Sequence, residues 1–157
     1  MSISFLNVEK SNLTSRYFDN IKDIKYKNHG GCLFFCYLFF LFLKKENADV
    51  SSFSINQLGY DHEIERNREY FDGLHDYAES SCHFTWVYDG IEYDSEGELD
   101  GRYSNYEKMQ LKDYLFDEDD IHEFCISALK YGGWNDTFDR EFAKVRVQQS
   151  LGLKVNV

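Results

Sequence analysis

The hydrophobic positions of this chain form four helical patterns and one alternating pattern. Between Val8 and Lys25, apolar side chains recur every three or four residues, which predicts an amphipathic helix. The stretch Cys32–Leu43 is apolar throughout, which is typical of a helix that is buried on every side. Apolar residues return at helical spacing in residues 119–130 and in a last segment that ends at Leu151.

Glycine and polar residues indicate where the two C-terminal helices begin and end. Gly132 and Gly133 follow the helix predicted over residues 119–130. Asn135 or Asp136 is the expected N-cap of the last helix, because a short polar side chain there can accept a hydrogen bond from a free backbone N–H group. Gly152 is expected to end that helix.

The clearest strand signal lies in residues 82–95. Residues 83–88 read HFTWVY and residues 91–94 read IEYD, and both segments alternate in polarity. Between them stands Asp89-Gly90, a favoured two-residue hairpin turn. We therefore expect an antiparallel hairpin in which Tyr88 lies opposite Ile91.

Other stretches give weaker signals. Residues 108–116 favour a further strand, residues 48–60 give no clear pattern, and the charged stretch 61–77 favours a surface helix or a loop. No repeat or linker-like segment divides the chain. We expect a single domain over residues 1–157, of the α+β class, with an antiparallel sheet packed on the buried helix.

The charge of the chain narrows the classes of partner. The formal net charge is −11, which repels nucleic-acid phosphates and anionic lipids, so we expect neither nucleic acid nor membrane as a partner. The apolar helix Cys32–Leu43 would be about 18 Å long, too short to cross a bilayer core of about 30 Å. An acidic surface that docks on a basic protein remains an alternative.

The cysteines are expected to be free thiols. The segment Met1–Lys10 has no basic and apolar pattern of a secretion signal, so we expect a reducing, cytoplasmic location. Cys36 and Cys125 fall on apolar helix faces and are expected in the core. Cysteine, histidine and acidic residues show no spacing typical of a metal site, and no glycine-rich phosphate loop occurs. We therefore expect neither metal nor cofactor.

Three residues occur in the order that cysteine-dependent catalysis requires. Cys32 is predicted at the start of the buried helix, where free backbone N–H groups and the helix dipole favour a thiolate. Alternation along the hairpin places His83 on the same sheet face as Asp94, whose carboxylate can then orient the imidazole. Glu96 would lie directly opposite His83 if strand pairing extends that far, and is the alternative orienting residue.

An oxyanion hole can be sought beside the same cysteine. The backbone N–H group of Cys32 could supply one donor, because it lies at the start of a helix. Asn28 or His29, just upstream, could supply the other.

Together these motifs resemble the papain-like cysteine peptidase superfamily, and more narrowly its compact bacterial, phage and transglutaminase-like branches. The resemblance spans residues 28–97. It implies a papain-like fold with Cys32 as nucleophile, His83 as general acid and base, and Asp94 as the residue that orients His83. It also implies a hydrolase or acyl transferase that acts on a peptide, protein or small amide through a thioester. A non-enzymatic acidic binding or inhibitor protein on the same fold, such as a phage or host-interaction factor, is the alternative.

Overall fold

The computed structural model of the chain describes residues 3–25, 27–28, 31–60, 64–65, 83–131 and 138–157. Within these residues the chain forms four α-helices, five β-strands and one short 3-10 helix. The helices are α1 (Ile3–Ile21), α2 (Cys32–Lys45), α3 (Glu118–Tyr131) and α4 (Arg140–Leu151), and the 3-10 helix is Leu111–Asp113. The strands are β1 (Ser54–Gly59), β2 (His83–Tyr88), β3 (Ile91–Asp94), β4 (Gly97–Glu98) and β5 (Glu107–Gln110).

The strands form one antiparallel sheet in the order β4-β3-β2-β1-β5. The predicted hairpin of β2 and β3 is confirmed, with Tyr88 opposite Ile91. Asp89 and Gly90 both have positive φ angles, 53° and 82°, as a two-residue turn of this kind requires. Helices and an antiparallel sheet in one chain confirm the α+β class.

The buried helix α2 is the centre of the core, as its sequence predicts. The ring of Phe39 lies 4.9 Å from that of Tyr17 in α1 and 5.4 Å from that of Trp86 in β2. Cys36, one turn after Cys32, is fully buried, and so is Cys125 in α3. Within the described residues, no helix is long and apolar enough to cross a membrane.

The two faces of β2 differ in chemistry. Phe84, Trp86 and Tyr88 point to the side that α2 covers, and Phe39 packs on both Trp86 and Tyr88. His83 and Thr85 belong to the opposite face, which carries polar groups from the neighbouring strands. The side that buries aromatic rings therefore anchors the sheet on α2, and the other side carries polar groups that are themselves largely buried.

On that polar face, the carboxylate of one strand bonds to side chains of three other strands. Glu92 of β3 accepts hydrogen bonds from Asn56 of β1 over 2.9 Å, from Thr85 of β2 over 2.5 Å and from Lys108 of β5 over 2.6 Å. Burial acts to raise the pKa of Glu92, but these hydrogen bonds outweigh it and hold the pKa below its usual value. The ionised carboxylate thus cross-links the sheet beside the strand that carries His83.

Two predictions about elements need correction, and one strand was not predicted. The unpredicted strand is β1, within residues 48–60, where no alternating pattern is visible because Asn56 and Gln57 are buried although polar. The strand predicted over residues 108–116 ends at Gln110 and continues as the 3-10 helix. The last helix starts at Arg140 rather than beside Asn135 or Asp136, and Asp139 is its N-cap.

Several sequence predictions lie outside the described residues. They concern His29, Cys82, residues 132–137 and most of the charged stretch 61–77. Helix α1 is confirmed, although it ends at Ile21 rather than Lys25. Helix α3 is confirmed over almost the predicted range, and Gly152 ends α4 in the left-handed conformation with a φ angle of 66°.

Candidate active site

Cys32 is the first residue of α2, so the first free N–H groups of this helix lie beside its side chain. Gly31 precedes it as N-cap, with a φ angle of −109° and a ψ angle of 0°. A Cβ atom on Gly31 would lie 2.7 Å from the carbonyl oxygen of Lys27 and 3.0 Å from the ring of Phe138. The glycine is thus needed because the chain passes too closely for any side chain. Cys32 itself is 8% exposed.

His83 is the first residue of β2, and its imidazole lies between Cys32 and Asp94. Its Nε2 atom is 3.4 Å from Oδ2 of Asp94, and Cys32 lies close enough to the imidazole to raise its pKa. Burial of the imidazole acts to lower its pKa. The interactions with the neighbouring Asp94 and Cys32 groups outweigh burial and raise the pKa of His83 to about 9.

The contact between His83 and Asp94 is loose. A separation of 3.4 Å is longer than a well-aligned hydrogen bond, and within the described part of the chain the buried Nε2 atom has no hydrogen-bond partner of acceptable geometry. Hydrogen bonds between catalytic groups are often long before substrate binds and tighten in the complex. The long distance between His83 and Asp94 is therefore compatible with a catalytic role for this pair.

Asp94 is fully buried and is held by three donors besides the imidazole. Its Oδ1 atom accepts from the backbone N–H group of Glu96 over 2.8 Å and from Arg102 over 3.1 Å. Its Oδ2 atom accepts from the side-chain amide of Asn28 over 3.1 Å. Burial acts to raise the pKa of Asp94, and the contacts with His83, Glu96 and Arg102 outweigh it, so the pKa lies below its usual value.

The ring of Tyr103 covers His83. The two ring centroids are 4.6 Å apart with an angle of 38° between the planes. Tyr103 has a φ angle of 65°, which is rare for a residue with a bulky side chain. Strained backbone of this kind is found preferentially at functional sites, because surrounding contacts must hold it. Here the strained residue places an aromatic ring on the imidazole.

Glu96 does not face the imidazole. Pairing between β2 and β3 stops at Trp86 and Tyr93, and the chain turns back at Ser95 and Glu96 into β4. The carboxylate of Glu96 is about half exposed and lies 3.8 Å from the ammonium group of Lys27. Of the two acidic residues considered from the sequence, Asp94 is the one beside His83.

Asn28 lies at the site, but its amide N–H group is directed at Asp94. Its carbonyl oxygen accepts a short hydrogen bond from the hydroxyl group of Ser95. An oxyanion role for Asn28 would have to use its second N–H bond and remains a prediction. The same role for His29 falls outside the described residues.

Sequence reasoning missed the contributions of Ser95, Arg102 and Tyr103. The segment after Asp94 is rich in charged residues and contains turns, which favours a solvated loop. The pair Asp100-Gly101 is the one sequence feature in this segment that indicates a tight turn. Both residues have positive φ angles, and the turn returns the chain towards Asp94.

No family model matches this chain, and neither does any curated protein or solved structure. In the described part of the chain, no cluster of three or more histidine, cysteine or acidic side chains could hold a metal ion.

Proposed function

We propose that this protein is a cysteine-dependent hydrolase or acyl transferase of the papain-like type. The observation that carries the proposal is the convergence of three side chains from separate elements. Cys32 opens a buried helix, His83 opens a strand, and Asp94 ends the next strand, yet the imidazole contacts both other groups. A buried helix packed on an antiparallel sheet, with a cysteine at its start, is also the arrangement expected of a papain-like domain.

The proposed reaction starts with attack of the Cys32 sulfur on the carbonyl carbon of an amide. A C–S bond forms, and the carbonyl electron pair moves to oxygen, where the N–H groups at the start of α2 can stabilise the negative charge. The imidazolium of His83 then donates its proton to the leaving nitrogen as the C–N bond breaks. A pKa of about 9 keeps this imidazole protonated at neutral pH, as that step requires.

The second half of the reaction resolves the thioester. His83, now neutral, accepts a proton from water or from an acceptor amine, which attacks the carbonyl carbon. The C–S bond breaks, and the sulfur leaves with its electron pair as the thiolate that pairs with the imidazolium. Water gives hydrolysis and an amine gives acyl transfer. Peptides, proteins and small amides are all suitable substrates, and a reducing cytoplasm is the compartment in which the thiol would persist.

Alkylation of the thiols tests this proposal directly. The intact protein is treated with low iodoacetamide at neutral pH, and the adduct is located by peptide mass spectrometry. We expect Cys32 to react first, while Cys36 and Cys125, which are fully buried, serve as internal controls. His83→Ala should lower the rate at Cys32 by about tenfold or more, because the imidazolium that stabilises the thiolate is lost.

His122→Ala is the matched control, because this exposed histidine bonds to Tyr37, away from the site. It should leave the alkylation rate at Cys32 unchanged. Equal and slow reaction of all thiols in the wild-type protein would contradict the enzymatic proposal. That result would favour the alternative of an acidic binding or inhibitor protein, which the net charge of −11 supports. Peptide and amide electrophile probes would then separate substrate classes if Cys32 is reactive.

A further inference from the structure

Asn28 connects the segment before the cysteine with the hairpin that carries the aspartate. It precedes Cys32 by four residues in the sequence. Its side-chain N–H group donates to Oδ2 of Asp94 over 3.1 Å, and its carbonyl oxygen accepts from the hydroxyl group of Ser95. One amide therefore contacts two successive residues, 66 and 67 positions away along the chain.

The orientation of this amide follows from the chemistry of its partners. An ionised carboxylate only accepts hydrogen bonds, so the NH₂ end of Asn28 must face Asp94. The carbonyl end then faces Ser95, whose hydroxyl group can donate. Both contacts favour the same orientation, so the amide is fixed and its N–H bond points at a defined carboxylate oxygen.

That oxygen is the one that faces the imidazole. Oδ2 of Asp94 accepts from Asn28 and lies 3.4 Å from Nε2 of His83. The other oxygen, Oδ1, is held by Arg102 and by the backbone of Glu96. Without Asn28, only Oδ1 would be held by donors outside the imidazole, and Oδ2 could swing away from the ring.

We infer that Asn28 is a positioning residue, which aligns the carboxylate of Asp94 with the imidazole of His83. Because Asn28 precedes Cys32 by four residues, the position of this part of the chain then affects the alignment. The inference deepens the proposed function and rests on it for its catalytic meaning. Asn28 acts through Asp94 and contacts neither the sulfur nor the imidazole in the described hydrogen bonds. Its contribution is the direction of one N–H bond.

The substitution Asn28→Asp turns this donor into one that depends on pH. The introduced carboxyl has nearly the shape of the amide and would face Asp94 and Ser95. The other charged groups around Asp94 are His83 and Arg102, and the Lys27–Glu96 ion pair lies nearby. Two carboxylates in contact raise the pKa of one of them, so near about pH 5 they share a proton. The protonated carboxyl then donates to Oδ2 as the amide does.

The experiment compares the alkylation rate of Cys32 by iodoacetamide in the variant and in the wild type, at matched pH values from about 5 to about 8. We expect the rate of Asn28→Asp to be close to wild type at the acidic end and about tenfold lower at the alkaline end. Asn28→Ala should be lowered by a similar factor at every pH value. A second readout, the ring nitrogen chemical shifts of His83 measured by NMR, should show the same pH dependence.

Asn20→Asp is the matched control, because the amide of Asn20 donates to the carbonyl oxygen of Arg16 in α1, away from the site. Its rate relative to wild type should not change with pH. A pH-independent ratio for Asn28→Asp would overturn the inference, and so would a wild-type rate for Asn28→Ala. If Asn28→Ala does not fold, the alkylation rate of Asn28→Asp relative to the wild type, measured near about pH 5 and at the alkaline end, tests the inference alone. The carboxyl of this variant is protonated near about pH 5 and can then donate its hydrogen bond.

The two readouts separate this inference from the proposed function. If the wild-type thiols are all sluggish while the His83 signals still follow the carboxyl introduced by Asn28→Asp, the enzymatic proposal fails and the positioning role stands. If Cys32 is hyper-reactive and neither readout shows a pH-dependent difference between Asn28→Asp and the wild type, the positioning role fails and the enzymatic proposal stands.

Discussion

Arg102 donates a hydrogen bond to Oδ1 of Asp94 over 3.1 Å, on the carboxylate oxygen opposite the one that faces the imidazole. Asp94 is fully buried, whereas 42% of the Arg102 side chain is exposed. Two further hydrogen bonds, to the carbonyl oxygens of Glu98 and Leu99, hold the guanidinium group. The exposed cation thus balances a buried anion at the edge of the site.

Replacing this cation should destabilise the protein at neutral pH and change how its stability falls in acid. We expect Arg102→Leu to lower the free energy of unfolding at neutral pH by about 1–2 kcal/mol, because a buried carboxylate loses a charged donor. Asp94 has a lowered pKa in the folded state, so its stabilising contribution is present above its unfolded pKa and disappears as pH falls through the folded value. The loss in Arg102→Leu should therefore begin at a higher pH than in the wild type.

Urea unfolding at a series of pH values measures this effect. Arg102→Lys keeps the charge without the two-pronged guanidinium and should lie between the wild type and Arg102→Leu. If the free energy of unfolding falls with decreasing pH in the same way for all three proteins, the cation does not support Asp94.

The free energy of unfolding should decrease as pH rises above neutral because of His83. Its pKa is raised to about 9 in the folded state from a usual value of 6.5, so the folded protein holds this proton more tightly than the unfolded chain. The contribution is fully present below pH 6.5 and disappears as pH rises to about 9. Among the described residues, the groups that face the imidazole are Cys32, Asp94 and the ring of Tyr103.

We expect the wild type to lose a few kcal/mol of unfolding free energy across that pH window relative to His83→Gln. Urea unfolding of both proteins at several pH values gives the difference. His122→Gln should retain the wild-type slope, because its ring belongs to another contact. Parallel curves for the wild type and His83→Gln would refute a tightly held proton on His83.

Gly31→Ala should damage the start of α2. The added methyl group would lie 2.7 Å from the backbone oxygen of Lys27 and 3.0 Å from the ring of Phe138, so the N-cap must shift. Overpacking of this kind lowers the free energy of unfolding by about 1–3 kcal/mol, and displacement of Cys32 should slow its alkylation by more than tenfold.

A second substitution checks the cause. Phe138→Leu removes the ring contact but leaves the backbone clash, so Gly31→Ala should cost less stability in the Phe138→Leu background than in the wild type, without becoming neutral. Wild-type stability and alkylation in Gly31→Ala alone would show that this backbone approach is not needed.

The ring of Tyr103 should protect the imidazole. Tyr103→Gly relieves a φ angle of 65° and removes the ring that lies 4.6 Å from His83. We expect the relief of strain to offset part of the lost packing, and the alkylation rate of Cys32 to fall about tenfold because water reaches the contact between His83 and Asp94. Tyr103→Phe keeps the ring and should retain the wild-type rate. A drop of equal size in Tyr103→Phe would assign the effect to the hydroxyl group instead.

The parts of the site that follow from local rules could be predicted from the sequence. Alternation from His83 and the turn at Asp89-Gly90 determine which residues share a face, and an apolar run after Gly31 determines where a buried helix begins. These rules act over short distances along the chain. They predicted the elements that carry all three proposed catalytic residues.

The supporting contacts could not be predicted, because they depend on packing between distant segments. Asn28 reaches Asp94 across 66 positions, and no local pattern encodes that approach. Arg102 and Tyr103 occupy a charged loop whose composition favours exposure. Strand β1 was missed for a related reason, since the sheet satisfies Asn56 through Glu92 and so allows a polar residue in a buried strand.

The hairpin of β2 and β3 also restricts how this region can change in length. His83 and Asp94 share a face because the pairing of Trp86 with Tyr93 and the two-residue turn fix the parity of the intervening segment. Inserting or deleting one residue there would move the carboxylate to the aromatic side of the sheet, whereas a change of two residues would preserve the arrangement. Viable variants of this segment should therefore differ from one another by even numbers of residues.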